Sequence, residues 1–315
     1  MTATFPTKAM AQTWADRIER ELAERRASGR SRADTMTLRD LVGWYVHEFR
    51  DVSRWGRSKH SDLTRIMGYA IAARTASTLR AQDYVRHVEE RRDAGAGAAT
   101  AGNDLVWIGV VLRAARGSLG LSASLDTIAD ARAHLRATKT ITKSRARKRR
   151  LTPDEETRLL VYFAARQSSV PMADIVRFAL ATARRQEEIT RIRWADLDVE
   201  RGVCMLRDVK HPTAKTGNDR EFRILSDAVA IARRQPRTDD LIFPHNPKTI
   251  GALFTRATRM LGIADLRFHD LRHEATSRLF ERGYSIHEVA QFTLHDSWAT
   301  LKRYANLRAQ DVPER

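Results

Sequence analysis

Between Ala137 and Arg150 the chain reads ATKTITKSRARKRR, with seven lysines and arginines, no acid and one bulky apolar residue, Ile141. A segment so charged and so poor in apolar side chains cannot bury a core of its own. Whatever this chain folds into is therefore expected in two bodies, one on each side of a basic linker. The length of 315 residues agrees, being more than one ordinary core accommodates. The predicted division is an N-terminal helix over 1–31, a helical body over 32–136, the linker over 137–150 and a second body over 151–315.

The front half is patterned for helices. Ala9, Ala11, Trp14, Ile18 and Leu22 form one stripe within residues 6–30, and ASGRSRADT ends it with small and polar residues. Four or five helical stretches follow between residue 37 and about residue 136. Leu38, Leu41, Val42, Trp44 and Tyr45 mark one, Leu63, Ile66 and Ala70 another, and Ala81 to Arg92 a third, which AGAGAATAGN is expected to break. Asp104–Ala115 is the most apolar of the set and is predicted to lie at the centre. No strand-like alternation occurs, so this body is predicted to be all-helical.

The second body opens on Thr152-Pro153-Asp154-Glu155, a capping box with proline at the first helical position. Helices are predicted at about 172–182, 186–193, 226–234, 247–261, 269–282 and 285–292, the last opened by a second box from Ser285 to Glu288. GVCMLRDVK and REFRILS read as short strands flanking the loop TAKTGND. The fold class is mainly α with a small β-sheet.

Charge narrows the partners. The net charge is +17, and residues 1–150 hold 29 Lys+Arg against 16 Asp+Glu, whereas residues 151–315 hold 27 against 23. An excess concentrated in this way points to a polyanion, bound with an affinity that falls steeply with salt. Lys143, Arg145, Arg147, Lys148, Arg149 and Arg150 of the linker are candidate phosphate contacts. No run reaches the ~18 apolar residues of a membrane span, and the N-terminus carries no apolar signal core. One cysteine, Cys204, excludes an internal disulfide. The expected location is cytoplasmic.

Five residues of the second body suit phosphoryl chemistry: Arg185, Lys215, His269, Arg272 and Tyr304. Arginines and a lysine neutralise a phosphoryl group as it gains charge, and a tyrosine can attack it. Each residue alone has an ordinary explanation. Arg185 and Glu188 make a common RxxE surface pair, Lys215 is a loop lysine, and Trp298, Leu301 and Tyr304 fall on one apolar stripe. His269 and Arg272 are three apart and share a helix face. His269 and His273 have the i, i+4 spacing of a zinc pair, but the glutamate of HExxH and a third ligand are missing.

Taken in order and spacing, these segments resemble the tyrosine recombinases, the phage integrase family. Thr182–Glu188 is similar to the family's TGxRxxE box, Lys215 to its β-hairpin lysine and His269–Arg272 to its HxxR box. Thr293-Leu294-His295 is similar to its LGH box, and Tyr304, nine residues beyond His295, to its nucleophile. Adjacent Arg184 and Arg185 leave the register open by one, with Ile189 and Ile192 favouring Arg185. Lys210 competes with Lys215, and TAKTGND favours the latter. Ala183 and Leu294 stand where the family carries glycine.

The resemblance implies a SAM-like core-binding domain in front and an α+β catalytic domain behind. Residues 1–31 would be the remnant of an arm-binding module. It implies a site-specific recombinase in which Arg185 and Arg272 hold the phosphate oxygens, His295 donates to one of them and Glu188 orients the site. His269 takes the proton from Tyr304, which forms a 3′-phosphotyrosyl link, and Lys215 protonates the leaving 5′-oxygen. No metal and no other cofactor is implied. The expected partners are double-stranded DNA and three further copies in a homotetramer on two DNA sites, with room for accessory DNA-bending proteins. Two other activities fit the same groups: a type IB topoisomerase-like relaxase and an inactive DNA-binding protein on this scaffold.

Overall fold

The computed structural model describes residues 7–9, 12–16, 19, 31–52, 55, 57–144, 147, 149–209, 217–302 and 304. The chain divides into two compact units, Met1–Ala146 and Arg147–Arg315. Most of the helix predicted over 6–30 lies outside the described residues; 8–9, 12–16 and 19 are helical.

The front unit is built from α1 (Leu38–Phe49), α2 (Arg57–Ile66), α3 (Ala81–Asp93), α4 (Ala98–Leu119) and α5 (Asp126–Ala137). Thr37 caps α1: its hydroxyl accepts from the Asp40 N–H at 3.1 Å, and the Asp40 carboxylate accepts from the Thr37 N–H at 2.9 Å. Leu38, Leu41, Val42 and Tyr45 are then buried at helical spacing. The most apolar stretch is indeed central, since α4 packs against each of the other four helices. The segment AGAGAATAGN does not break the chain where expected. Only residues 94–97 do so, and α4 begins at Ala98. Its small residues have a packing role: a Cβ on Gly102 would come within 3.3 Å of the Ile141 side chain. Ile141, the one bulky apolar residue of the basic segment, is thereby buried in the front unit.

At the centre of this unit Asp104 is fully buried. It lies 3.2 Å from His87 Nε2, accepts from Arg91 Nε at 2.8 Å and from Arg65 Nη2 at 3.5 Å. Burial by itself would raise its pKa, but the His87 hydrogen bond and the Arg91 charge more than offset that, leaving it below the usual range. Asp104→Ala would strand two buried bases, so a loss of about 3–5 kcal/mol in denaturant unfolding is expected. A loss below about 1 kcal/mol would show that the network contributes little.

The second unit runs α6 (Pro153–Ala164), α7 (Met172–Thr182), α8 (Gln186–Ile189), β1 (Leu197–Asp198), β2 (Val203–Leu206), β3 (Arg220–Arg223), α9 (Ser226–Arg233), α10 (Pro247–Met260), α11 (Phe268–Glu281), α12 (Ile286–Thr293) and α13 (Trp298–Lys302). The strands form an antiparallel sheet in the order β1-β2-β3, with Cys204 opposite both Leu197 and Phe222. The helix predicted over 186–193 ends at Ile189, because its last residues pair elsewhere. The Ile242 N–H donates to Ile192 O at 2.9 Å, and the Trp194 N–H donates to Asp240 O at 3.0 Å. α11 is the central element, packed against α7, α10 and α12. It buries Asp270, Arg272, His273, Glu274 and Thr276 beside its apolar residues.

Two of those carboxylates explain the end of the basic segment. Arg147 reaches Asp270 through Nε at 3.0 Å and Nη2 at 2.8 Å, and Asp265 through Nη1 at 2.9 Å. Arg150 reaches both oxygens of Glu274 at 2.9 and 3.0 Å, and Glu281 as well; Arg149 pairs with Glu155. These three arginines are therefore not a solvated tether. They tie the start of the second unit to α11 and α6, and their charge is already matched. Lys143 is exposed, while Arg145 and Lys148 lie outside the described residues. Among the described residues no helix is long and apolar enough to cross a membrane.

Candidate active site

The site grows from two helix ends. α7 and α12 both stop in the left-handed conformation, at Ala183 (φ 54°) and Leu294 (φ 54°). Each end turns its last carbonyls outward as the negative pole of a helix. Two guanidinium groups lie across both poles, one residue apart. Arg272, from α11, donates through Nη1 to Ala183 O and through Nη2 to Thr293 O, both at 2.8 Å. Arg184 donates through Nε to Thr182 O at 3.3 Å and through Nη2 to Phe292 O. Its guanidinium also sits 4.4 Å from the centre of the Phe222 ring.

One carboxylate faces three arginines. Glu188, on α8, accepts from the Arg185 N–H at 3.0 Å and from Arg185 Nη1. Its Oε2 lies 3.7 Å from Arg184 Nη1 and 3.9 Å from Arg272 Nη1. Burial would raise the Glu188 pKa, but the charges of Arg184, Arg185 and Arg272 hold it down at about 2. Burial, with Arg184 and Arg185 close by, pushes Arg272 down to about 9, and burial chiefly pushes Arg184 to about 10. Three cations against one anion leave the cluster short of negative charge, which an incoming phosphate would supply.

The two adjacent arginines have different surroundings. The Arg185 side chain is 35% exposed and that of Arg184 is fully buried, so Arg185 is the one open to a ligand. Sequence reasoning missed the part Arg184 plays; the doublet was its only signal.

His295 lies two residues past the end of α12. Its Nδ1 is 2.7 Å from Thr293 Oγ1, which itself donates to Val289 O at 2.8 Å. With that hydroxyl proton committed, Nδ1–H is the donor, and Nε2 is left 3.2 Å from Arg272 Nη2. The next residue, Asp296, pairs with Arg220 of β3.

Tyr304 follows α13. Its ring packs with Leu279, Phe280, Val289, Phe292 and Leu301, as the apolar stripe suggested. Its hydroxyl is hydrogen-bonded to Nδ1 of His273. The ring centroids of Tyr304 and His295 are 6.3 Å apart. His269 is exposed, one turn before His273, and meets that ring edge-on with centroids 5.0 Å apart. Arg185, Arg272, His295, Tyr304 and Glu188 are thus gathered at one place, with His269 at its edge. Lys215 and Lys210 lie outside the described residues. The stem of their loop is fixed by the Val209 N–H, which donates to Asn218 O at 2.8 Å, and by the Gly217 N–H, which donates to Asp208 Oδ1 at 2.8 Å. Among the described residues no three His, Cys, Asp or Glu side chains group so as to hold a metal ion.

Residues 149–311, which contain all of these groups, match the model of the phage integrase family. The chain belongs to that family. It is 39% identical over 168 residues to the shufflon-specific DNA recombinase of Escherichia coli, an alignment covering 53% of this chain and 42% of that protein. It is 25% identical over 179 residues to the integrase of Salmonella phage P22, covering 52% and 45%. The chain therefore spans less than half the length of these curated relatives. In fold it is similar to a lambda integrase dimer bound to a COC′ core site, with a TM-score of 0.69, 18% identity and 94% of this chain and 83% of that one covered. It is likewise similar to the Tn1549 transposon integrase in complex with transposon right end DNA, with a TM-score of 0.67, 16% identity and 88% and 96% covered.

The departures of this chain from its family's glycines now have a physical cost. A residue bearing a Cβ in the left-handed region costs about 1–2 kcal/mol. At Ala183 little opposes that strain, since only a methyl group is buried and glycine adds about 0.4–1 kcal/mol of unfolded-state entropy. Ala183→Gly is therefore expected to be neutral or stabilising by up to about 1 kcal/mol. Leu294 is 4% exposed and packs in the main core. Leu294→Gly discards about 2–3 kcal/mol of burial, so it is expected to destabilise despite relief of the same strain. In thermal melts Ala183→Gly should leave the midpoint unchanged or raise it, and Leu294→Gly should lower it.

Proposed function

We propose that this chain is a site-specific DNA recombinase that cuts and rejoins duplex DNA through a 3′-phosphotyrosyl link to Tyr304. The observation that carries the reading is the under-neutralised group of Arg184, Arg185 and Arg272 around Glu188, with a tyrosine hydroxyl held beside it.

Arg185 and Arg272 hold the non-bridging oxygens of the scissile phosphate, where planar, cationic donors are most effective. His295, once a second proton on Nε2 makes it an imidazolium, donates to one of them. Tyr304 Oη attacks phosphorus, its proton passing to a histidine of the His269–His273 pair. The bond from phosphorus to the 5′-oxygen breaks, and Lys215 protonates the leaving oxygen. The phosphotyrosyl ester retains the energy of the broken bond, so rejoining to another strand needs no ATP.

The net positive charge of the front half, Lys143 included, supplies salt-sensitive contacts to DNA phosphates. The working assembly is a homotetramer on two sites. A lambda integrase tetramer bound to a Holliday junction, similar to this chain with a TM-score of 0.67, supports that choice.

Nicked duplexes tiled across the DNA flanking the coding region test the reading. The expected product is a denaturation-resistant protein–DNA adduct on one of them, and strand exchange between two such sites. No adduct on any duplex would overturn it.

A further inference from the structure

Arg184 is a fully buried cation, one residue from the arginine that is open to a ligand. Its Nε donates to Thr182 O at 3.3 Å, its Nη2 donates to Phe292 O, and its guanidinium lies 4.4 Å from the centre of the Phe222 ring. These contacts fix the plane of the group, so it cannot turn outward to a phosphate. Its Nη1 is buried and, among the described residues, has no hydrogen-bond partner. A buried charged donor left unpaired is unfavourable. The acceptor it faces is Glu188, whose Oε2 stands 3.7 Å away, just outside hydrogen-bond range. Glu188 is meanwhile engaged by Arg185, through the backbone N–H at Oε2 and through Nη1 at Oε1. The arginine that a phosphate requires is therefore the one that this carboxylate holds.

We propose that Arg184 is a positioning residue, which takes Glu188 over from Arg185 when the scissile phosphate binds. The proposal rests on the reading above, in which Arg185 holds a phosphate oxygen. Nη1 of Arg185 leaves Glu188 Oε1 for the phosphate, while the Arg185 backbone N–H stays on Oε2. The carboxylate pivots about that bond, and Nη1 of Arg184 closes onto it. A shift of about 1 Å suffices, since charge-assisted N–H···O bonds form at about 2.7–2.9 Å. Without a substitute cation the buried carboxylate would draw Arg185 back from the phosphate. Arg272 suits that task less well. It lies 3.9 Å from the same oxygen, but both its Nη atoms already donate to carbonyls, and its other donors are needed at the phosphate. The planar fork of Arg184 can keep Nε and Nη2 on their carbonyls while Nη1 points at Glu188.

A double-variant cycle separates this exchange from a mere clamp on two helix ends. Arg184→Met is similar in length and removes the charge; Glu188→Gln removes the anion that has to be taken over. The readout is the rate of adduct formation on the reactive nicked duplex at saturating protein. With Glu188 present, Arg184→Met is expected to lose about 10- to 100-fold, less than the removal of a donor that touches the phosphate. In the Glu188→Gln background the same substitution should change the rate by no more than about threefold, because no carboxylate competes for Arg185. A clamp alone predicts the same loss in both backgrounds. A loss less than about threefold larger with Glu188 than in the Glu188→Gln background would overturn the role. Should Arg184→Met not melt cooperatively, Arg184→Gln takes its place in the cycle. A structure of Tyr304→Phe bound to the same duplex is the second measurement. It should show Arg184 Nη1 within hydrogen-bond distance of Glu188 and Arg185 Nη1 against the phosphate; Glu188 still paired with Arg185 Nη1 would sink the exchange. If wild type forms no adduct on any duplex, the phosphotyrosyl reading fails and this role fails with it. If wild type reacts and the two losses agree, only the exchange fails.

Discussion

Tyr304→Phe is expected to abolish the covalent protein–DNA adduct, with a rate loss on the order of 10⁶-fold, and to leave DNA affinity within about threefold. The size of the effect follows from what the hydroxyl does: without it no bond to phosphorus can form. The fold should tolerate the change. The phenylalanine ring retains the packing against Leu279, Phe280, Val289, Phe292 and Leu301. The hydrogen bond to His273 is lost, which is worth about 1 kcal/mol. Gel-shift affinity and denaturing-gel adduct formation on the same duplex measure the two quantities. An adduct that survives in the variant would place the nucleophile elsewhere.

The next largest contrast is between Arg272→Ala and Arg185→Ala. Removing a preorganised donor from a charge-stabilising site costs about 10²–10³-fold in rate, and each arginine offers more than one. Both variants should therefore lose at least about 10³-fold in adduct formation, and far less in DNA affinity, because many other cations share the binding. Their stabilities should differ. Arg272 is 2% exposed and joins the ends of α7 and α12 through Ala183 O and Thr293 O. Its removal leaves two carbonyls and part of the Glu188 charge without a partner, at an expected cost of about 3–5 kcal/mol. Arg185 is 35% exposed and Glu188 keeps two other arginines nearby, so Arg185→Ala should cost under about 1 kcal/mol. Equal losses of stability, or affinity falling in step with rate, would contradict this assignment.

Much of this fold is legible in the sequence because it depends on local signals. Capping boxes at Thr152 and Ser285 start helices where they were expected, and the apolar stretch Asp104–Ala115 runs through the centre of its unit. The errors arise where distant backbone intervenes. The helix begun at Gln186 stops at Ile189 because Ile192 and Trp194 pair with residues 240–242. Ala98–Gly102 joins a helix rather than a loop, and the missing Cβ of Gly102 leaves room there for Ile141. β1 has two residues, too few to carry a period, and exists through its pairing with β2.

Order and spacing point to the constellation of Arg185, Lys215, His269, Arg272, His295 and Tyr304, with Ile189 and Ile192 favouring Arg185 over Arg184. Residue types and intervals are one-dimensional, and they were enough to point to the family. Only the tertiary structure decided how the charges are divided. Arg184 and Arg272 clamp the two left-handed helix ends, and Arg147, Arg149 and Arg150 are held by carboxylates instead of lying open in a tether. It also set the buried His273 against the Tyr304 hydroxyl. The reason is physical: a side chain's charge and reactivity depend on which groups surround it in space, and helices that meet only after folding supply those groups.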